Sequence, residues 1–281
     1  MAGTFFTSTH YFCLFARDAC FMISANIIAF NEEANIADCI ASARQVCDDV
    51  VVVDSGSQDR TVAIATELGA RVVHQAYLGD GIQKNVALEH VKYDWVLSLD
   101  ADERLTPEMV EAIRQLELAA TEHDAFAFRR RNMIGSRWIQ VCGWYPDYCI
   151  RLYNHRHARF ADVKQHAKVI AANPKRLDAD MIHHSFDNLG QLFAKPGRNF
   201  SGRAAKIMFQ KGKRANAFSP FAHGLNAFVR KYVLQRGFMG GVDGMTVAVS
   251  AGLNSYLKYA KLLEYQRDPK VLEAEDFNKV W

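Results

Sequence analysis

Between Ile23 and Glu122 the chain alternates four short apolar runs with four segments of helical period. The runs are Ile23 to Phe30, Val50 to Val53, Arg71 to His74 and Val96 to Leu99. Val50 to Val53 is apolar without interruption, as expected of a strand covered on both faces. The repeat is roughly one strand and one helix per 25 residues, which predicts a mostly parallel α/β sheet with helices on both sides. In such sheets ligands lie beyond the carboxyl ends of the strands. Phe30-Asn31, Asp54 and Asp100 occupy those ends.

Local signals support the helices. Asn31 could cap a helix bearing Ile36, Ile40, Ala43 and Val46, with Glu32 and Glu33 in its first turn. Asp59 could cap a helix over Thr61 to Leu68 that Gly69 stops. Gly79-Asp80-Gly81 reads as a loop before a helix over Ile82 to His90. Thr106-Pro107 gives the cap and first position of a helix running to about Glu122. After Asp124 the pattern changes. Ala125 to Arg130, Cys149 to Tyr153, Phe160 to Ile170 and Arg176 to His183 read as further strands, with a turn-rich segment over Ile134 to Asp147. From Asn188 the chain reads as helical.

The stretch Trp95 to Glu103 carries the chemistry. A buried strand runs into Asp100, Asp102 and Glu103. Two carboxylates two residues apart leave extended chain on one face, and hard oxygen donors suit Mg²⁺ or Mn²⁺ holding a diphosphate. Alone, the same tripeptide is also an ordinary acidic turn.

Charge is placed unevenly. Net charge is only +3, yet no Asp or Glu occurs from Asn188 to Val242. That segment points to an anionic partner such as phospholipid or a lipid-linked sugar phosphate. Nucleic acid would suit the same mixture of basic and aromatic residues, but the front half contains no nucleic-acid module. The six cysteines form no C-x-x-C pair and read as reduced thiols of a cytosolic protein. Residues 1–21 lack a basic start and a cleavage site, so a signal peptide is not expected. Met22 is read as the natural start and residues 1–21 as a non-native or disordered extension. Residues 22–187 would form the catalytic domain and 188–281 a basic helical region that meets membrane or acceptor.

Three motifs together resemble the inverting family 2 glycosyltransferases of the GT-A fold. They are Ile27-Ile28-Ala29-Phe30-Asn31-Glu32-Glu33, Val51 through Thr61 with Asp54-Ser55-Gly56-Ser57, and Leu97-Ser98-Leu99-Asp100-Ala101-Asp102-Glu103. Gly143-Trp144-Tyr145-Pro146-Asp147, Arg151-Leu152-Tyr153 and Tyr232 to Phe238 resemble the branch containing lipopolysaccharide core heptose glucosyltransferases.

The resemblance implies roles for individual residues. Asp54 would contact the donor base, with Phe30, Asn31 and Glu33 lining the same crevice. Lys84 would approach the diphosphate and Asp100 the donor ribose or the metal. Asp102 and, later in the chain, His183 would bind a divalent cation, Mn²⁺ or Mg²⁺. Asp147 would be the base that takes the acceptor proton. Each has a plainer alternative: a turn former for Asp54 and Asp147, a helix charge for Glu33 and Lys84, an ordinary histidine for His183.

One departure stands out. Where relatives often read Val-His-Glu, this chain has Val163-Lys164-Gln165, and glutamine cannot act as a base; His166 is adjacent.

The resulting expectation is metal-dependent, inverting transfer of a hexose from a nucleotide-sugar donor, UDP-linked in the first instance. The acceptor would be a lipopolysaccharide-core or other lipid-linked glycan. The protein would be cytoplasmic and peripheral at the inner face of the plasma membrane. Transfer to a polyprenyl phosphate, nucleotidyl transfer and non-catalytic nucleotide-sugar binding remain as alternatives.

Overall fold

The computed structural model describes residues 22–163, 167–195 and 201–274. The 1–21 extension and Lys164-Gln165-His166 lie outside the described residues. Strands β1 (Ile23–Ala29), β2 (Asp49–Asp54), β3 (Arg71–His74) and β4 (Trp95–Asp100) lie in the spatial order β3-β2-β1-β4, all parallel. Helices α1 (Ile36–Ala43), α2 (Thr61–Glu67) and α3 (Asp80–Val86), the last extended by a 3₁₀ turn at Ala87–Glu89, make the crossovers. Every residue of β2 is buried. Val50 and Val52 join the large core under α1, whereas Val51 and Val53 face Ala87 on the other side. This is the two-residue period of a strand covered on both faces.

The chain then runs through β5 (Glu103–Leu105), α4 (Pro107–Arg114), β6 (Ala125–Ile134), β7 (Arg137–Trp138), β8 (Tyr148–Asn154), β9 (Arg159–Phe160), β10 (Val169–Ile170) and β11 (Pro174–Phe186). The sheet continues past β4 as β8-β6-β11-β5. Here the pairings alternate: β8 is antiparallel to β4 and β6, β11 is parallel to β6, and β5 is antiparallel to β11. The parallel character belongs to the first four strands and the second half is mixed. The reason is the 135–147 loop, which folds back on itself instead of crossing over with a helix.

Three local expectations are corrected. The α1 helix begins at Ile36, because Asn31 has φ of 54° and turns the chain first. Helix α4 stops at Arg114 rather than near Glu122. Leu116 and Leu118 both pack on the core, and residues two apart cannot share a helix face. The strand expected over Phe160 to Ile170 is only the two short pairs β9 and β10, set apart from the main sheet.

The start of α4 follows the sequence signal. Thr106 Oγ1 accepts from Met109 N (3.2 Å) and donates to the Asp180 carbonyl (2.7 Å), tying α4 to β11. Thr106→Ala is expected to cost about 1–2 kcal/mol, read from the midpoint of urea unfolding.

Beyond β11 lie α5 (Leu189–Lys195), α6 (Ser201–Gln210), α7 (Ser219–Val229), a π-helical stretch Arg230–Leu234, a 3₁₀ turn Gly237–Gly240, α8 (Gly241–Arg267) and α9 (Pro269–Ala274). Helices α6 and α7 pack along α8. Among the described residues, no helix is long and apolar enough to cross a membrane.

Candidate active site

A crevice opens beyond the carboxyl ends of β1, β2 and β4. Ala29 and Phe30 supply one wall, Ser55 and Tyr77 another, and Asp80, Asp100 and Asp102 the polar floor. Strand β8 enters where β4 leaves, so its first residues also stand at this end of the sheet.

The floor is a ladder of alternating charge. Lys84 of α3 is buried and lies 2.9 Å from both Asp80 Oδ1 and Asp100 Oδ1. Arg151 of β8 is buried between Asp100 Oδ2 (3.2 Å) and Glu103 Oε1 (2.5 Å). Glu103 is fully buried, and its Oε2 also accepts from Asp100 N (3.1 Å). Arg130 of β6 lies 3.8 Å from Glu103 Oε1 and grips Asp147 Oδ2 through Nε (2.9 Å) and Nη2 (2.6 Å). Helix α3 comes this close to the 161–163 strand exit because residue 81 is glycine. A Cβ there would sit 1.9 Å from the Ala161 carbonyl oxygen.

Burial by itself would raise the Asp100 carboxyl, but Lys84 and then Arg151 outweigh it and hold it well below the usual carboxylate range. Burial opposes charge on Lys84 as well, and Asp100 is the main group that reverses this and raises its pKa. Because the folded carboxyl holds its proton less tightly than the unfolded one, the Asp100 contribution to stability is complete above about pH 4. It is lost as pH falls through the folded value. Thermal unfolding followed from about pH 5 to about pH 2 should therefore be less steep in acid for Asp100→Asn than for the wild type.

A second group sits beside the ladder. Strand β11 lies between β6 and β5, which places His183 opposite both Asn132 and Glu103. His183 Nδ1 is 2.7 Å from Asn132 Oδ1, and Nε2 is 3.5 Å from Asp102 Oδ2. With Nδ1–H donated to the amide oxygen, Nε2 is left to face Asp102. Burial would lower the imidazole pKa; the Asp102 carboxylate more than compensates and raises it. Asp102 Oδ1 is buried and has no hydrogen-bond partner.

Of the residues singled out from sequence, the structure thus brings Lys84, Asp100, Asp102, Asp147 and His183 into one connected cluster, with Phe30 on the crevice wall. Each Asp100 oxygen faces a cation, Oδ1 the Lys84 ammonium and Oδ2 the Arg151 guanidinium. No group of three or more His, Cys, Asp or Glu side chains suited to a metal occurs among the described residues, which leaves Asp102 and His183 as a pair.

Asp54, Asn31 and Glu33 take different positions. Asp54 is buried and accepts from Gly56 N (2.9 Å), Ser57 N (3.0 Å) and Ser57 Oγ (2.5 Å). Asn31 Oδ1 accepts from Gln58 N (2.9 Å) and Glu33 Oε2 from Arg60 N (3.1 Å). Asn31 and Glu33 build the rim by locking the β1–α1 connection to the β2–α2 connection, and Asp54 orders the turn of the latter. Sequence reasoning placed Glu103 in the acidic stretch and Arg151 in a motif without a role for either, and missed Arg130 and Asn132. The available signal for Arg151 was a single arginine between Ile150 and Leu152 in an otherwise apolar strand.

Fold and crevice define an α/β protein with a polar ligand site beyond the carboxyl ends of its parallel strands. Residues 24–141 match the family described as Glycosyl transferase family 2. An uncharacterized glycosyltransferase of Rickettsia conorii is 32% identical over 269 residues, covering 92% of this chain and 95% of that protein. The chain belongs to glycosyl transferase family 2 and is a glycosyltransferase. The lipopolysaccharide core biosynthesis glycosyltransferase LpsC of Rhizobium meliloti is 28% identical over 262 residues, covering 87% of this chain and 92% of LpsC. A solved glucosyl-3-phosphoglycerate synthase of Mycobacterium tuberculosis, in complex with Mn²⁺ and UDP-glucose, is 28% identical over 40% of this chain and 43% of its own, with a TM-score of 0.32. So partial a superposition carries no weight here.

Proposed function

We propose that this protein transfers a hexose from a UDP-sugar, with inversion and with bound Mn²⁺ or Mg²⁺, to a lipopolysaccharide-core or other lipid-linked glycan. The observation that carries the reading is the buried, unpartnered Asp102 Oδ1 beside His183 at the edge of the crevice. A carboxylate and an imidazole fit a cation that takes its remaining ligands from a diphosphate and water. Such a cation, held by Asp102 and His183, would neutralise charge on the departing nucleotide.

The protein's own groups do the rest. Phe30, Ser55, the rim built by Asn31 and Glu33, and the turn ordered by Asp54 would seat the nucleoside. Lys84 would place a buried positive charge near the diphosphate, balanced by Asp80 and Asp100 until the donor arrives. Asn132 would keep His183 in one orientation. Asp147 would take the acceptor proton through Oδ1, because the Arg130 bonds fall on Oδ2. The likeness to LpsC supports a lipopolysaccharide-core acceptor, and use of such an acceptor would place the enzyme in the cytoplasm, peripheral to the inner face of the plasma membrane.

The Arg130 grip favours a second reading. The guanidinium already occupies Asp147 Oδ2, and a polyprenyl phosphate acceptor, already an anion, needs no base. Asp147→Asn would then be tolerated, whereas transfer to a hydroxyl should fall by about 10²–10⁴-fold.

A thermal-shift screen of UDP-sugars with and without Mn²⁺, paired with an assay of UDP release, tests the core of this. The expected result is a metal-dependent shift that Asp102→Ala abolishes. A shift independent of metal and unchanged in Asp102→Ala would remove the metal site. Release of pyrophosphate instead of UDP would make the protein a nucleotidyltransferase.

A further inference from the structure

The basic C-terminal helices leave an apolar surface that the core does not use. On α7, Phe218, Phe221, Leu225 and Val229 are exposed at spacings of three, four and four. On α8, Val242, Met245, Val249 and Leu253 repeat the same spacing and are also exposed. Leu234, Phe238 and Met239, at 74%, 54% and 66% exposure, join the two stripes at the tip. The two helices are held side by side by close backbone approach. A Cβ on Gly224 would lie 3.2 Å from the Gly252 carbonyl oxygen, and the reverse contact is also 3.2 Å. Both stripes therefore belong to one body. An apolar surface this continuous marks an interaction site.

Its occupant is identified by charge. Lys211, Lys213 and Arg214 precede α7 in the chain, Arg230 and Arg236 lie between α7 and α8, and all five are exposed. From Asn188 to Leu263 the one acidic residue is Asp243, and it is paired with Arg137 (3.3 Å). A second copy of the chain would bring this same positive surface against itself, which is unfavourable; an anionic bilayer is complementary. The apolar stripes are the length of surface helices, with basic residues before and between them in the chain, the pattern that lies in a membrane interface.

The tip is also fastened to the catalytic side. Lys231 Nζ donates to the Cys142 carbonyl (2.7 Å), Cys142 N donates to the Gln235 carbonyl (3.1 Å), and Cys142 Sγ reaches the Gly244 carbonyl (3.3 Å). Gly240 lies so close that a Cβ would meet Val141 Cγ2 at 2.5 Å. Residues 141–142 lead through Trp144, whose carbonyl accepts from Asn132 Nδ2 (3.1 Å), to Asp147.

We infer that the α7–tip–α8 hairpin is a docking surface for an anionic lipid bilayer, and that its attachment to the 141–147 loop holds the crevice at bilayer height. This deepens the membrane attachment proposed above by assigning it to particular residues, and it rests on that reading for the identity of the enzyme alone.

The test is co-sedimentation of the full chain with vesicles of phosphatidylcholine, alone or with about 30 mol% phosphatidylglycerol. The wild type should bind the anionic vesicles, bind them less at high salt, and bind the neutral ones at least tenfold more weakly. The variant Leu225→Ser/Leu234→Ser/Met239→Ser/Val242→Ser should lose at least tenfold in vesicle binding. It should keep the wild-type melting temperature and UDP-sugar thermal shift, since all four side chains are exposed. Binding by the variant equal to wild type would overturn the assignment, as would equal binding to neutral vesicles. So would a wild type that ignores vesicles, whether monomeric or forming a dimer in light scattering that the variant breaks. Vesicle binding is read without turnover, so its failure would leave the transferase reading standing, and failed sugar transfer would leave this one.

Discussion

Asp102→Ala is expected to lower sugar transfer by on the order of a thousandfold, equivalent to about 4 kcal/mol of transition-state stabilisation. The loss should fall on kcat, because charge on the leaving diphosphate develops during the reaction. Stability should hardly change. Asp102 is partly exposed, and among the described residues its carboxylate lies within ion-pairing distance of His183 alone. Asn132→Ala, which removes the amide oxygen holding His183, should raise the Mn²⁺ concentration for half-maximal activity by about 10–100-fold with a smaller change at saturating metal. A variant Asp102→Ala that retains most of its activity in the presence of Mn²⁺ would rule out the carboxylate as a metal ligand.

Arg151→Met should have the largest effect on stability. Glu103 is fully buried and Asp100 partly so; removing the guanidinium leaves Glu103 without its closest cation. Breaking a buried pair by deleting one partner costs about 3–5 kcal/mol, much of it the penalty of the stranded charge. The double variant Arg151→Met/Glu103→Gln should recover a good part of that loss, giving a coupling of roughly 1–3 kcal/mol in a double-mutant cycle of urea denaturation. Single-variant costs below about 1 kcal/mol would show that water reaches the pair.

Much of the first hundred residues was legible because parallel strands covered on both faces are written as unbroken apolar runs. Val50 to Val53 is such a run, and Asp54 marks its end wherever the helices fall. The Thr106-Pro107 start was equally plain, since a cap acts on its own next turn. The end of α4 was not, because Leu116 and Leu118 turn inward to a core assembled from distant strands. The mixed half of the sheet was less legible still. Nothing local announces that β11 runs on to Phe186, or that it separates β6 from β5.

The acidic stretch after β4 shows where the division falls. Sequence alone determined that Asp100, Asp102 and Glu103 stand at the carboxyl end of a buried strand, because strand period and strand burial are properties of neighbouring residues. Their different fates were decided by tertiary structure. Asp100 is neutralised by Lys84 and Arg151, Glu103 is sealed inside by Arg151 with Arg130 nearby, and Asp102 keeps a buried oxygen without a partner beside His183. Charge interactions act through space over a few ångströms, so the partners come from α3, β6, β8 and β11, and only the assembled sheet brings them within reach.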